Sequence, residues 1–199
     1  MKKSRKIALL MLPILVAYLF QATQYARAPV KYNYFVVYAK NADIALRPGT
    51  DLSPNGQTLL QNSTSQLGLY NLTLGQWGPG YRINYTDAFR IVNREAFNIK
   101  MVGFNFSADS TGTEYLKIYV LNDTDNDGVG DTEVCVWDGS STTLSSTNYI
   151  YFKATSSYGS DGGWTKVKIM IILPETGLDF QGGSSIEYSG TLYLWFTSG

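Results

Sequence analysis

Apolar and polar residues alternate in short runs along most of this sequence, and a period of two is typical of β-strands with one buried face. In the run 164–173, aliphatic side chains occupy every second position from Val167 to Leu173, and Lys166 and Lys168 lie on the opposite face. Similar runs predict further strands over these ranges: 67–74, 87–92, 97–101, 114–121, 132–137, 149–154 and 186–196. No convincing helical periodicity follows residue 28, so the pattern predicts an all-β protein.

Turn-forming residues separate these runs at regular intervals. Pro-Gly or Pro-Asn-Gly combinations occur at 48–49, 54–56 and 78–80. The apolar phase of Phe97 is lost after Gly103, which predicts a β-bulge there. We find no linker or shift in composition, so residues 43–199 are expected to form a single β-sandwich domain.

The segment 29–42 precedes that domain and contains an apolar strand candidate. Its central residues are apolar on both faces, as in a fully buried strand: Tyr34, Phe35, Val36, Val37 and Tyr38. Such a strand can pair within its own domain, or it can add to the sheet of a neighbouring subunit as a donor strand.

Residues 1–28 have the layout of a secretory signal peptide. Basic residues at 2–6 precede an apolar run at 7–20, and Ala26-x-Ala28 fits the small-residue cleavage rule, although Pro29 would be an unfavourable next residue. A retained anchor is the alternative. The signal predicts a secreted or cell-surface protein with no membrane segment after cleavage.

The charge balance changes once the signal is removed. The remaining chain has 11 basic and 16 acidic residues, a net charge of −5, so we expect no basic stripe for nucleic acid or an anionic membrane. Cys135 is the only cysteine, which excludes an internal disulfide, and its apolar surroundings suit a small core residue.

Asn-x-Ser/Thr sequons are more frequent than this composition predicts by chance, which favours a glycosylated surface protein. The expected acceptors are Asn62, Asn71, Asn84 and Asn105. A fifth sequon, at Asn122, is discounted because it adjoins an acidic loop.

That loop, 123–131, places acids at alternate positions and then a glycine, the spacing of the first half of a calcium-binding loop. The expected ligands are the carboxylates of Asp123, Asp125, Asp127 and Asp131, with the backbone carbonyl of Val129. Val134 occupies the position of the bidentate glutamate of an EF-hand, so the loop is not an EF-hand. The alternative is a solvated acidic turn.

The sequence contains no histidine, which removes the Ser-His-Asp and Cys-His mechanisms and most zinc sites. Paired carboxylates could in principle hydrolyse glycosides, but the acids are clustered in the loop or scattered singly. We therefore expect no enzyme. Trp77, Trp137 and Trp164 could stack on sugars if exposed, but such residues are more often core or interface residues.

Two stretches resemble a known group of secreted proteins. The Pro-Gly turn at 78–80, the strand ending in Val92-Asn93 and the alternating run to Met101 are similar to TasA/camelysin-type proteins and their archaeal bundling-pilin relatives, as is the closing stretch 188–196. The resemblance implies a jelly-roll subunit of an extracellular filament whose N-terminal strand completes the sheet of the next subunit. Camelysin's metalloprotease activity is not implied, because no histidine is present to bind zinc.

The sequence thus predicts a structural subunit of an extracellular pilus or filament. It would assemble as a head-to-tail homopolymer by donor-strand complementation and carry a structural calcium ion. The alternative is a monomeric secreted carbohydrate-binding or adhesion domain.

Overall fold

A computed structural model describes residues 26–32, 43–62, 70–125, 127–157, 159–178 and 186–198. This part of the chain contains one 3₁₀ turn, Thr113–Tyr115, and eleven strands. The strands are β1 (Ala26–Tyr32), β2 (Ile44–Pro48), β3 (Leu60–Asn62), β4 (Tyr70–Leu72), β5 (Arg82–Asn93), β6 (Ile99–Phe106), β7 (Leu116–Asn122), β8 (Thr132–Trp137), β9 (Ile150–Phe152), β10 (Trp164–Ile172) and β11 (Gly190–Ser198). Within these described ranges, no helix is long and apolar enough to cross a membrane.

The strands form two sheets, so the predicted all-β sandwich is confirmed. One sheet has six strands in the order β3-β4-β1-β11-β6-β9, and the other has five in the order β2-β5-β10-β7-β8. Consecutive strands repeatedly change sheet, as in a jelly roll. All pairings are antiparallel except the contact of β1 with β4.

The core lies between the sheets and follows the predicted alternation. On β10, Val167, Ile169 and Ile171 are buried, while Lys166 and Lys168 alternate with them on the outer face. On β11, Leu192, Leu194 and Phe196 are buried in the same way. Each strand therefore contributes one apolar row to a shared core, as burial of apolar surface requires.

The β-bulge predicted beside Gly103 is confirmed. Trp195 of β11 pairs with Gly103 and the next residue, Phe196, pairs with Met101, so Val102 is the extra residue on β6. The bulge lets Met101 and Phe104 both face the core, although their spacing does not fit a regular strand. Phe97, which the sequence placed on that face, lies outside β6 and is 51% exposed.

The N-terminal strand lies earlier in the chain than the sequence indicated. β1 spans Ala26–Tyr32 and pairs with β11 of the same chain, from Ala26 opposite Phe196 to Tyr32 opposite Gly190. It thus includes the last three residues of the expected signal peptide. The predicted donor residues Tyr34, Phe35, Val36, Val37 and Tyr38 lie outside the described residues.

A buried carboxylate secures the irregular middle of β5. Between two pairings with β10, Val167 with Phe89 and Ile169 with Tyr85, β5 has two residues more than β10, and Asp87 lies in this extra segment. Asp87 is only 3% exposed, and its carboxylate accepts hydrogen bonds from Arg90 at 2.6 Å and from Thr50. Burial opposes its ionisation, but the hydrogen bonds from Arg90 and Thr50 outweigh burial and lower the pKa of Asp87.

Replacing Asp87 with Asn is expected to make stability less dependent on pH. Because the folded pKa is lowered, the charged form of Asp87 stabilises the protein above the ordinary Asp pKa of about 4, and this stabilisation is lost as the pH falls through the folded pKa. We expect Asp87→Asn to cost roughly 1–3 kcal/mol at pH 7. The gap to the parent protein should close near pH 2 in chemical unfolding measured across pH.

Asp161→Asn is the matched control, since its ion pair with Arg47 joins two half-exposed side chains. Its effect should stay below about 1 kcal/mol at every pH. A constant Asp87→Asn penalty down to pH 2 would contradict the assigned role of the charge.

Candidate metal centre

The acidic loop closes the hairpin between β7 and β8. The last residue of β7, Asn122, pairs with the first residue of β8, Thr132, and the backbone N–H of Asp131 donates to the carbonyl of Asn122 at 2.9 Å. Both ends of the loop are therefore held by the sheet, and the predicted hairpin is confirmed. Asn126, in the middle of the loop, lies outside the described residues.

The far side of the loop is attached to the start of β10. The N–H of Trp164 donates to the carbonyl of Gly128 at 2.9 Å, and the N–H of Gly130 donates to the carbonyl of Trp164 at 3.1 Å. Val129 thus forms a parallel bridge with Trp164. A loop held at both ends and at one side has little freedom left, so its acidic side chains are fixed relative to one another.

Glycine is required where the loop approaches the sheet. A Cβ on Gly130 would lie 2.2 Å from the carbonyl oxygen of Leu121 and 2.6 Å from the hydroxyl of Thr165. Gly128 has a φ of +102°, a conformation that side chains disfavour. Glycine is therefore required at position 130 by the close approach to the sheet and at position 128 by the backbone conformation.

Three carboxylates of the loop converge. Asp123, Asp125 and Asp127 each offer a carboxylate oxygen, and these three oxygens lie within 4.8 Å of one another. Asp123 is buried, and the other two are exposed. We call these three residues the acidic triad; its oxygen atoms could hold a metal ion.

The buried member of the acidic triad indicates a ligand more directly. Asp123 is 6% exposed, and its Oδ2 accepts a hydrogen bond from the N–H of Gly128 at 3.0 Å. Its Oδ1 is buried and has no hydrogen-bond partner among the residues that the structure describes. A buried carboxylate oxygen without a partner is costly, and two further carboxylates beside it raise that cost. A cation between the three would offset both terms.

The two exposed members are oriented by the loop backbone. Asp125 Oδ1 accepts from the N–H of Asp127 at 3.2 Å, and Asp127 Oδ1 accepts from the N–H of Val129 at 2.7 Å. Each bond uses one oxygen, which leaves the carboxylates further lone pairs for a cation.

The fourth predicted carboxylate is engaged elsewhere. Asp131 accepts hydrogen bonds from the hydroxyl and the N–H of Thr124, and the bond from the Thr124 hydroxyl is the main reason that its pKa is lowered. Asp131 is not part of the acidic triad. Its role as a ligand, like that of the Val129 carbonyl, stays a prediction.

The tryptophans that could have stacked on sugars serve other contacts. Trp137 is 5% exposed and donates to the carbonyl of Thr113, while Trp77 is half-buried and donates to the carbonyl of Leu74. The guanidinium of Arg90 lies 4.9 Å from the ring centroid of Trp164. Trp137 is therefore a core residue, whereas Trp77 and Trp164 are partly exposed.

The sequons differ in accessibility. Asn84 and Asn105 are exposed, Asn71 is half-buried in β4, and the side chain of Asn62 is outside the described set. The side chain of Asn122 accepts a hydrogen bond from the N–H of Tyr151 on β9, which ties the two sheets together. Discounting Asn122 as a glycan acceptor agrees with this contact.

Cys135 is half-buried on β8, and burial is the main cause that raises its thiol pKa. A raised pKa keeps the thiol protonated at neutral pH and therefore unreactive.

No protein-family model matches this chain, and no curated protein is significantly similar to it. The resemblance to TasA/camelysin-type proteins therefore stays a prediction, and the function rests on the geometry.

Replacing Asp123 with Asn is expected to have opposite effects with and without a divalent cation. Without one, the variant should be as stable as the parent or more stable, because a buried charge is removed. With a cation at about 100 times its Kd, the parent should gain about 2.7 kcal/mol and the variant should gain little. Thermal unfolding in chelator and in millimolar Ca²⁺, Mg²⁺ or Mn²⁺ measures both effects.

Asp138→Asn provides the control, since Asp138 also accepts backbone N–H bonds in a turn but is outside the acidic triad. Its response to cations should equal that of the parent. If no divalent cation changes the unfolding temperature of the parent, the acidic triad is a solvated turn.

Proposed function

We propose that the protein is a structural subunit of an extracellular filament that assembles by donor-strand complementation. The observation that carries this proposal is the position of β1. The first strand of the described chain lies inside the six-stranded sheet, between β4 and β11, and these two neighbours do not pair with each other. Without β1 the sheet has an open slot.

On its β11 side, the slot needs a strand that pairs with the backbone and covers the core. β11 is paired with β1 over seven consecutive residues without a bulge, and its inward side chains Leu192, Leu194 and Phe196 are at most 2% exposed. Removing β1 would leave unpaired backbone groups along β11 and uncover part of this core. An extended strand from any source satisfies both requirements.

Attachment on the other side is weaker. β1 contacts β4 through a single parallel register pair, Lys31 with Asn71. Pro29, in the middle of β1, has no N–H to donate, and proline is uncommon in interior strands. β1 therefore has the properties of an inserted strand rather than of an integral one.

The connection to β2 allows exchange. Residues 33–43 separate β1 from β2, which lies in the other sheet. Eleven residues reach at most about 36–40 Å when extended. A tether of this length lets β1 enter either its own slot or that of an adjacent subunit, and the two states contain the same strand pairs.

Processing would shift the balance toward exchange. Cleavage after Ala28, the expected site, removes the residues that pair with Leu194, Trp195 and Phe196. The shortened strand would no longer fill its own slot, and the segment from Pro29 through Tyr38 could enter a neighbour's slot in a new register. Because each subunit donates one strand and accepts another, assembly is head-to-tail and generates a fibre.

Within this subunit we assign the acidic triad to calcium. All the donors are carboxylate oxygens, and the spacing is that of a calcium loop with its glycine, whereas zinc sites use nitrogen and sulfur ligands. A bound ion would stabilise the connection between β7, β8 and the start of β10.

Calcium is expected to stabilise the protein at lower concentration than magnesium does. The mixed buried and exposed carboxylates suit a larger cation with irregular geometry, whereas Mg²⁺ requires near-octahedral ligands and dehydrates reluctantly. Titration of the unfolding temperature should give a midpoint at least about tenfold lower for Ca²⁺, and an equal or lower midpoint for Mg²⁺ would overturn the assignment.

Strand exchange is tested by disulfide trapping between subunits. In a Cys135→Ser background, one preparation carries Thr191→Cys and a second carries Lys31→Cys, which pairs with Thr191 in the register of β1. Further donor preparations carry Asn33→Cys or Phe35→Cys, which would lie opposite Thr191 after a register shift of two or four residues. After co-assembly and oxidation, a covalent dimer forms only if β1 of one subunit pairs with β11 of another. We expect this dimer in the filament fraction, together with fibres in negative-stain micrographs.

Asn105→Cys replaces Thr191→Cys in the control, since Asn105 is on β6, one strand further from β1. It should give little cross-linking with Lys31→Cys. Dispersed particles, with cross-links only when both cysteines are in one chain, would exclude strand exchange. That outcome would favour the alternative of a monomeric adhesion or carbohydrate-binding domain.

A further inference from the structure

The overall charge of the secreted chain conceals a strongly uneven distribution. Eleven basic residues follow residue 28, and six of them lie in the strands of the five-stranded sheet, which contain only two acids, Asp87 and Glu133. The other described acidic residues lie outside the strands. A basic surface therefore exists, although the sequence-wide balance of −5 predicted none.

Five of these cations form a track across the outer side of the sheet, which we call the basic face: Arg47, Arg90, Lys117, Lys166 and Lys168. Arg90 and the three lysines lie between buried residues, Arg47 follows the buried start of β2, and all five are at least partly exposed. Arg90 is directly opposite both Arg47 and Lys166, so three cations cross three neighbouring strands in one row. Adjacent strands are about 4.8 Å apart.

Like charges in direct cross-strand contact are destabilising, and the protein compensates only part of this row. Asp87 pairs with Arg90, Asp161 with Arg47, and Glu133 with Lys168. Among the described residues, Lys117 and Lys166 have no carboxylate within ion-pair distance. An anion bound along the track would neutralise the lysines that have no carboxylate nearby and so reduce the repulsion between the cations.

We propose that the basic face binds an anionic polysaccharide. Arg47, Arg90 and Lys166 form a row across β2, β5 and β10. Lys168 follows along β10, and Lys117 on β7 lies opposite Met170, so the track turns along β10 before it reaches β7. An extended chain with a carboxylate on each sugar can contact such a track at several points. The half-exposed ring of Tyr119, beside Lys168, offers an apolar contact for a sugar.

Two other anionic partners fit less well. Proteins that bind single-stranded nucleic acid stack successive bases on several free aromatic rings. On this face Arg90 covers the ring of Trp164, which leaves the ring of Tyr119. A second copy of the chain offers acids mainly as single loop residues, and its clustered acids are the triad, whose charge a bound cation would neutralise. A second copy therefore supplies no linear array of free anions.

Affinity for polygalacturonate, measured by titration calorimetry on unglycosylated protein, tests this proposal. We expect binding at low salt that weakens steadily as salt rises, because screening and counterion release control such contacts. Lys117→Gln with Lys166→Gln should weaken binding about tenfold, which corresponds to about 1.4 kcal/mol. The same two positions changed to Arg should retain it.

Lys100→Gln is the matched control, since Lys100 is also a half-buried strand lysine but lies on the other sheet, 4.6 Å from the ring of Tyr149. It should bind like the parent. The proposal fails if polygalacturonate does not bind at low salt, or if Lys100→Gln weakens binding as much as Lys166→Gln does. Equal or tighter binding of a single-stranded oligonucleotide would assign the face to nucleic acid instead. Salt-sensitive self-association without polymer binding would assign it to a second copy.

Discussion

The pairing of β10 with its neighbours is the interaction on which the rest of the structure depends. β10 is paired with β5 on one edge and with β7 on the other, and its inward residues Val167 and Ile169 are completely buried. Its first residue, Trp164, is joined to the acidic loop by two backbone hydrogen bonds, one to Gly128 and one from Gly130. One strand thus fixes the core, the acidic loop and the central row of the basic face. A disturbance of its register would move all three.

Strong alternation was sufficient to predict much of this architecture. β7, β8 and β10 agree with the predicted runs, and the phase change at Gly103 revealed a bulge, because a period of two leaves few alternatives. The short strands β2 and β3 were missed. β2 spans only five residues, ends in Pro48 and was interpreted as part of a turn-rich stretch. β1 was missed because it carries Pro29 and lies where a cleavage site was expected.

The acidic triad could be predicted from the sequence, whereas the basic face could not, and the difference is how far apart their residues lie along the chain. Ligands for a cation in one loop are neighbours in sequence, so Asp123, Asp125 and Asp127 could be recognised from spacing alone. The hydrogen bond from the Thr124 hydroxyl to Asp131 could not be predicted in this way, because it depends on where that hydroxyl lies in the folded loop. The basic face joins residues from four strands between positions 47 and 168. No local pattern marks such a surface, and a net charge summed over the chain obscures it.

A tethered strand favours its own slot over a neighbour's, and this constraint bears on how a filament could form. A short covalent connection to the domain gives β1 an effective concentration in the millimolar range at its own slot. Free subunits at lower concentration would therefore remain closed if β1 were intact. Polymerisation requires that the closed form lose stability, and shortening β1 from Ala26 achieves this by removing its pairs with Phe196, Trp195 and Leu194 while the neighbour's slot remains available. Signal cleavage would then act as the step that converts a self-complemented fold into an assembling one. The timing of assembly would follow export without any separate switch.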